Sequence, residues 1–226
     1  MLIRIPNILA PGDAAQFCRL LSEADWSDGK ETAGYLSQRV KNNNQLREDH
    51  PLGLRLGQKI LDALDANPLF LSAALPLKVV PPLFNRYSDS QNYGRHIDGA
   101  IRPVYGSRHR VRTDLSATLF LSPPESYEGG ELIIEELDGT DSIKLGAGDL
   151  VLYSGSTVHR VAPVTKGVRL AAFFWLQSMV RLDTQRALLF KLDSGLQLLG
   201  RDSPDHPAMV DLMAVYHNLL RLWGET

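Results

Sequence analysis

The chain has 226 residues, with 44% hydrophobic and 22% charged side chains and a formal net charge of −2. This length suits one sizeable domain with accessory helices, and the composition argues against disorder or low complexity. The charge balance carries neither the basic signal of a nucleic-acid binder nor a polybasic membrane footprint, and the apolar runs are too short to span a bilayer.

The segment Met1 to Asn7 lacks the apolar core and cleavage site of a secretory signal, and the single cysteine, Cys18, permits no internal disulfide. Both features lead us to expect a cytoplasmic protein with Cys18 as a small core residue. Residues 1–77 read as a mostly helical support region. Pro11-Gly12-Asp13 starts a helix in which Phe17, Leu20, Leu21 and Ala24 recur at helical spacing. A second helix is expected from near Pro51 to Leu64, with Leu54, Ile60, Leu61 and Leu64 on its apolar stripe, ended by Asn67-Pro68.

Over residues 78–178 the rhythm changes to short strands separated by Gly and Pro turns. Leu77 to Tyr87 begins the series. Thr113 to Ser122 alternates, with Leu115, Ala117, Leu119 and Leu121 on one face and Ser116, Thr118 and Phe120 on the other. Further strands are expected at Glu131 to Leu137, Ser142 to Leu145, Leu150 to Tyr153, Val158 to Val164 and Val168 to Gln177, with a turn at Asp138-Gly139. About eight short strands at this spacing predict a mainly β fold with flanking helices, whose core is a double-stranded β-helix, a cupin-like jelly roll. Residues 179–226 return to a helical pattern packed on that core. Asp183 is the expected N-cap of a helix over Thr184 to Leu192. A Met and Leu stripe follows over Ala208 to Trp223, read as core rather than as a homodimer contact.

The chemistry concentrates in Asn92-Tyr93-Gly94-Arg95-His96-Ile97-Asp98. On a strand, His96 and Asp98 point the same way. His159, from a distant strand, completes two imidazoles and one carboxylate. That set holds one face of an octahedral ferrous ion and leaves three positions open. Ten residues on, Arg169 begins an apolar strand, where a buried guanidinium suits a forked grip on a carboxylate. The loop from Gly99 to Arg112 concentrates positive charge, including Arg102, Arg108 and Arg110. It reads as a lid attracting an anionic substrate or, more plainly, as a solvated loop.

These stretches resemble the Fe(II)/2-oxoglutarate-dependent dioxygenases of the prolyl 4-hydroxylase type, and more narrowly the bacterial PKHD-type hydroxylases associated with iron uptake. The resemblance lies in Phe84-Asn85-Arg86-Tyr87, Tyr93 to Asp98, Leu119 to Ser122, Gly129-Gly130-Glu131-Leu132, Gly148 to Tyr153, Val158 to Val161 and Gly167-Val168-Arg169. It implies His96, Asp98 and His159 as iron ligands and Arg169 as partner of the distal carboxylate of 2-oxoglutarate. Tyr87, Tyr93 and Thr118 are further candidates for holding that co-substrate, and Gly129 and Gly130 for backbone geometry. It also implies oxygen as co-substrate, ascorbate as a dependence, and release of succinate and carbon dioxide as an unidentified organic substrate is hydroxylated. That substrate is a peptidyl residue or a small metabolite. Asp98 occupies the position that halogenating relatives leave open for halide, so hydroxylation is the implied outcome. Two other readings stand beside it: a cupin metal enzyme independent of 2-oxoglutarate, and a non-enzymatic iron or oxygen sensor.

Overall fold

A computed structural model describes residues 1–226 except Ala33, Leu36, Leu137 and Asp138, and does not describe the Thr32 side chain. The ends of the expected strand at Leu137 and of the expected turn at Asp138 therefore lie outside the described residues.

Two antiparallel sheets face each other. The larger has the spatial order Leu2–Ile5, Leu150–Ser154, Leu115–Phe120, Arg169–Ser178, Leu83–Tyr87, Asn44–Gln45, Ser27–Asp28, with Pro76–Val79 also pairing with Arg169–Ser178. The smaller runs Gly139–Ile143, Leu132–Glu136, Val158–Val161, Asn92–His96, Lys41–Asn42. This is the jelly-roll sandwich that the strand spacing predicts.

Alternation along the central strands builds the interior. Leu170, Ala172, Phe174 and Leu176 pack outward with Leu115, Ala117, Leu119, Leu150 and Leu152 against helices Pro11–Ser22 and Pro51–Asp65. The intervening residues face the second sheet, where Phe120, Val151 and Tyr153 meet Leu132, Ile134 and Val161. Both faces of Leu115–Phe120 are consequently buried.

Proline at the first helical position starts both helices, its fixed φ and missing N–H costing nothing there. Asn67 ends one helix and caps the next: its Oδ1 accepts the Phe70 N–H at 2.9 Å, and Pro68–Ala74 follows. Cys18 packs against the main core, and its Sγ donates to the Leu121 carbonyl at 3.2 Å.

The structure corrects four expectations. Residues 1–77 are not only helical, because Leu2–Ile5, Ser27–Asp28, Lys41–Asn42 and Asn44–Gln45 join the two sheets. Pieces of two residues carry no period to read. Leu54 is 52% exposed, off the stripe formed by Leu56, Ile60 and Leu64. Asp183 is not an N-cap: Leu182 holds that place, and Asp183 pairs with the buried Arg186 inside the helix Asp183–Asp202. The helix Ala208–Trp223 buries no residue completely. It leans Tyr216, Leu219, Leu220 and Trp223 on Leu75, Val180 and Leu189, and leaves Val210 and Leu222 exposed. No described helix is long and apolar enough to cross a membrane.

Candidate active site

Strand pairing brings the histidines together. His159 lies directly across from His96 on neighbouring antiparallel strands, and their ring centroids are 4.2 Å apart. Asp98 lies just beyond the end of strand Asn92–His96, not on it as the alternation argument assumed. It is turned inward by Ser116, whose hydroxyl donates to Asp98 Oδ2 at 2.6 Å. One ligand atom from each of the three residues falls within 4.8 Å of the others, and His159 Nε2 is 3.8 Å from Asp98 Oδ2.

Both imidazoles are oriented from behind. His96 Nδ1 lies 2.8 Å from the Gly94 carbonyl and His159 Nδ1 lies 3.0 Å from the Thr157 carbonyl. A backbone oxygen only accepts, so each Nδ1 carries the proton and each Nε2 lone pair is free to bind a metal. Burial first, and then the neighbouring His159, lowers His96 to about 4. His96 is therefore neutral near pH 7, the state a ligand needs. Tyr93 stacks on His96 at 3.6 Å and 14°, and Tyr153 meets His159 edge-on at 5.1 Å. The three donors and their open side fit one ferrous ion of facial coordination.

The triad opens into a cavity of about 870 Å³ between the sheets. At another part of its wall lies Arg169, only 1% exposed, with its Cζ 5.3 Å from the Tyr87 ring and 5.2 Å from the Phe120 ring. Among the described residues its Nε and Nη1 have no hydrogen-bond partner. A buried guanidinium with idle donors is costly unless an anion completes it. A dicarboxylate reaching from the metal to Arg169 does so, and the donors present fit 2-oxoglutarate. The Asn85 side-chain oxygen is a further buried polar atom without a partner among the described residues of the same wall. Tyr87 pairs in register with Arg169, and burial pushes its phenol up to about 12, leaving it a protonated donor. Burial likewise raises Tyr93 and Tyr153. Thr118 is buried and lines the cavity.

Gly130 makes room for Arg169. Its φ is +70°, and an added Cβ would sit 3.0 Å from Arg169 Cδ and 2.8 Å from Val164 Cγ2. Gly129, at φ +73°, has Pro163 O where its Cβ would lie, at 2.0 Å. Gly130→Ala is expected to raise the KM for 2-oxoglutarate by about tenfold or more. Left-handed backbone costs a residue with Cβ about 1 kcal/mol or more, and the guanidinium stem must also shift. Steady-state succinate assays across 2-oxoglutarate concentrations check this; an unchanged KM would refute the spacing argument.

Of the basic loop, Arg102 reaches the cavity; it pairs with Glu48 and lies over Trp175. Arg108 and Arg110 are exposed on the adjoining hairpin Ile101–Pro103 with Arg110–Arg112 and are not among the cavity's lining residues. Sequence reasoning missed Lys41, Asn43, Asn85, Tyr153 and Trp175 as wall residues and Ser116 as the Asp98 partner. Only Ser116 had a legible signal, since it shares the face of Thr118 on an alternating strand.

The comparisons agree with this geometry. Residues 82–177 match the 2OG-Fe(II) oxygenase superfamily and residues 183–225 the PKHD-type hydroxylase C-terminal domain. The chain is 56% identical over 225 residues to a PKHD-type hydroxylase of Bordetella pertussis and 54% identical over 226 residues to one of Parvibaculum lavamentivorans. It is 54% identical to the PKHD-type hydroxylase PiuC of Pseudomonas aeruginosa; each of these three alignments covers 100% of both chains. Among solved structures, a Pseudomonas putida prolyl-4-hydroxylase aligns with TM-score 0.51 at 21% identity, over 78% of this chain and 92% of that one. A Trichoplax adhaerens prolyl hydroxylase aligns with TM-score 0.56 at 16% identity, over 83% and 86%. These two show the shared fold. With full-length identity above half, the chain belongs to the PKHD-type hydroxylases and is an Fe(II)- and 2-oxoglutarate-dependent oxygenase.

Proposed function

We propose that the chain hydroxylates a small organic molecule, with His96, Asp98 and His159 holding the iron and Arg169 holding the far carboxylate of 2-oxoglutarate. The observation that carries this reading is the buried Arg169 guanidinium, with two nitrogens lacking partners, in the same cavity as the three clustered ligands. When bound, the iron supplies oxygen activation coupled to oxidative decarboxylation of 2-oxoglutarate to succinate and carbon dioxide.

The chain's own residues do the rest. Ser116 and the Gly94 and Thr157 carbonyls aim the ligands. Tyr87 and Thr118 line the same cavity and serve as donors to the co-substrate, and the Tyr93 ring braces His96. Apolar neighbours such as Leu132, Val161 and Phe173 keep water away from the reacting carbon. A cavity of about 870 Å³ is in the range that encloses a small ligand, which favours a metabolite over a peptidyl residue. Ascorbate dependence, a link to iron uptake and a cytoplasmic location belong to this reading by family association.

Anaerobic reconstitution with Fe(II) and 2-oxoglutarate, followed by oxygen and candidate metabolites, tests it. Mass spectrometry should find one added oxygen atom in a product, matched by succinate. Tight iron binding without any succinate, even uncoupled, would replace the hydroxylase reading with a sensor.

Ser116→Ala offers a second check on the ligand assignment. Loss of an outer partner of a metal ligand typically costs about 10- to 100-fold in metal affinity or activity. Ferrous iron titrations of the variant should show a loss in that range, and wild-type affinity would separate Ser116 from the metal centre.

A further inference from the structure

The cavity has a cationic, aromatic wall that the iron and its co-substrate do not use up. The described charged residues lining it include four cations, Lys41, Arg95, Arg102 and Arg169, against one carboxylate, Asp98. Arg95 is exposed and bound to Glu135 at 2.6 Å, and Arg102 pairs with Glu48. Each of these two arginines is thus offset by its own carboxylate, and the excess positive charge of the described lining rests on Lys41 and Arg169 against Asp98. Fe(II) and the 2-oxoglutarate dianion carry equal and opposite charge, so filling both positions leaves the balance as it was. A concave site with one dominant sign of charge and low-dielectric walls concentrates ligands of the other sign.

Lys41 enters this wall from the strand Lys41–Asn42, opposite Tyr93 in register, and is 5% exposed. Its Nζ donates to Gln45 Oε1 at 2.9 Å. It also stands 5.4 Å from the Tyr93 ring that stacks on His96, and 5.9 Å from the Phe173 ring. Burying an ammonium is expensive; burial, and then the nearby Arg102, lowers Lys41 to about 8. An anion placed beside both cations offsets that cost.

The strand Arg169–Ser178 orders the cavity along its length. Arg169, Ala171, Phe173 and Trp175 share its inner face. At about 3.3 Å per residue, Trp175 lies roughly 20 Å from Arg169 along the strand. Phe173 and Trp175 are half-buried although their neighbours Ala172, Phe174 and Leu176 are buried, so they front open space. Arg102 Cζ is 4.9 Å from the Trp175 ring, at the end of the strand remote from the co-substrate arginine.

We propose that Lys41 and Arg102 form a subsite for a carboxylate carried by the substrate, whose apolar body lies against Phe173 and Trp175. The proposal rests on the hydroxylase reading above. It makes the substrate a small carboxylic acid, and makes Lys41 and Arg102 the residues that select it.

The test uses the full chain loaded with Mn(II), which prevents turnover, and saturating 2-oxoglutarate. The probes are benzoate and its neutral isostere benzamide, titrated calorimetrically. The expected result is benzoate binding about tenfold tighter than benzamide, as a charge-assisted contact requires. Lys41→Met, and separately the neutral pair Arg102→Gln with Glu48→Gln, should each shrink that preference to about threefold or less. Thermal unfolding midpoints report whether each variant folds, and either one alone suffices for the test. No preference in the wild type, no benzoate binding, or a full preference in either folded variant overturns the proposal. Failure of 2-oxoglutarate itself to bind the Mn(II)-loaded chain would instead unseat the hydroxylase reading; normal co-substrate binding with indifference to benzoate unseats only the subsite.

Discussion

Asp98→Ala is expected to abolish succinate formation and to weaken ferrous iron binding by more than about 100-fold. That exceeds the roughly 10- to 100-fold loss typical when only an outer partner of a metal ligand is removed. The reasoning is electrostatic. Asp98 is the single carboxylate in the cluster of three, and its companions are imidazoles oriented by backbone carbonyls. Without it, the positive charge of the ion meets a wall whose other described charged residues, Lys41, Arg95, Arg102 and Arg169, are cations. The change also strands the Ser116 hydroxyl, which now donates to Asp98 at 2.6 Å. Asp98 lies beyond the end of its strand, so no strand pairing depends on it. The measurement is succinate yield with iron supplied in excess, beside an iron titration. Unchanged succinate production in a folded Asp98→Ala protein would remove Asp98 from the metal.

Arg169→Ala should act on the co-substrate rather than on the metal. Truncating one partner of a buried charge-assisted pair costs about 2 to 5 kcal/mol, or roughly 30-fold and upward in affinity. The Kd for 2-oxoglutarate is expected to rise by at least that much while iron binding changes little. Arg169→Lys should recover only part of the loss, because an ammonium cannot present the planar fork. A second signature separates this role from a structural one. Arg169 is buried with two nitrogens lacking partners among the described residues, a cost relieved only in part by the Tyr87 and Phe120 rings and the neighbouring Tyr127. The variant should therefore lose much of the thermal stabilisation that 2-oxoglutarate confers on the wild type. A 2-oxoglutarate affinity unaltered by Arg169→Ala would refute the assignment.

Much of the architecture was legible because its signals are local. Leu115 to Phe120 shows alternation that sorts its residues correctly between the helix-packed face and the interior. Helix starts were expected at Pro11-Gly12-Asp13 and near Pro51, and the helices begin at Pro11 and Pro51. The helix expected at Pro51 nonetheless placed Leu54 on its buried stripe. The stripe is set by where the sheet lies, and the sheet covers Leu56 and Ile60 instead. Asp183 looked like a cap by residue type, but its pairing with Arg186 competes for the same carboxylate.

The N-terminal contribution was not legible. Lys41 and Asn43 line the cavity because Lys41–Asn42 and Asn44–Gln45 add to sheets whose central strands come from far along the chain. Two-residue strands have no periodicity to read. The pairing of cations in the wall was not legible either: Lys41 and Arg102 are 61 positions apart and nothing local links them.

By itself the sequence determined the chemistry available: two histidines, one aspartate and one arginine of suitable kinds, set on segments whose alternation and turns dictate a β sandwich. Only the tertiary structure decided that His159 stands opposite His96, that Asp98 is turned inward by Ser116, and that Arg169 shares their cavity with its donors idle. The reason is physical. Side-chain alternation is a property of one strand and is written in its residues, whereas strand register and the closing of one sheet over another depend on the summed packing of the whole core.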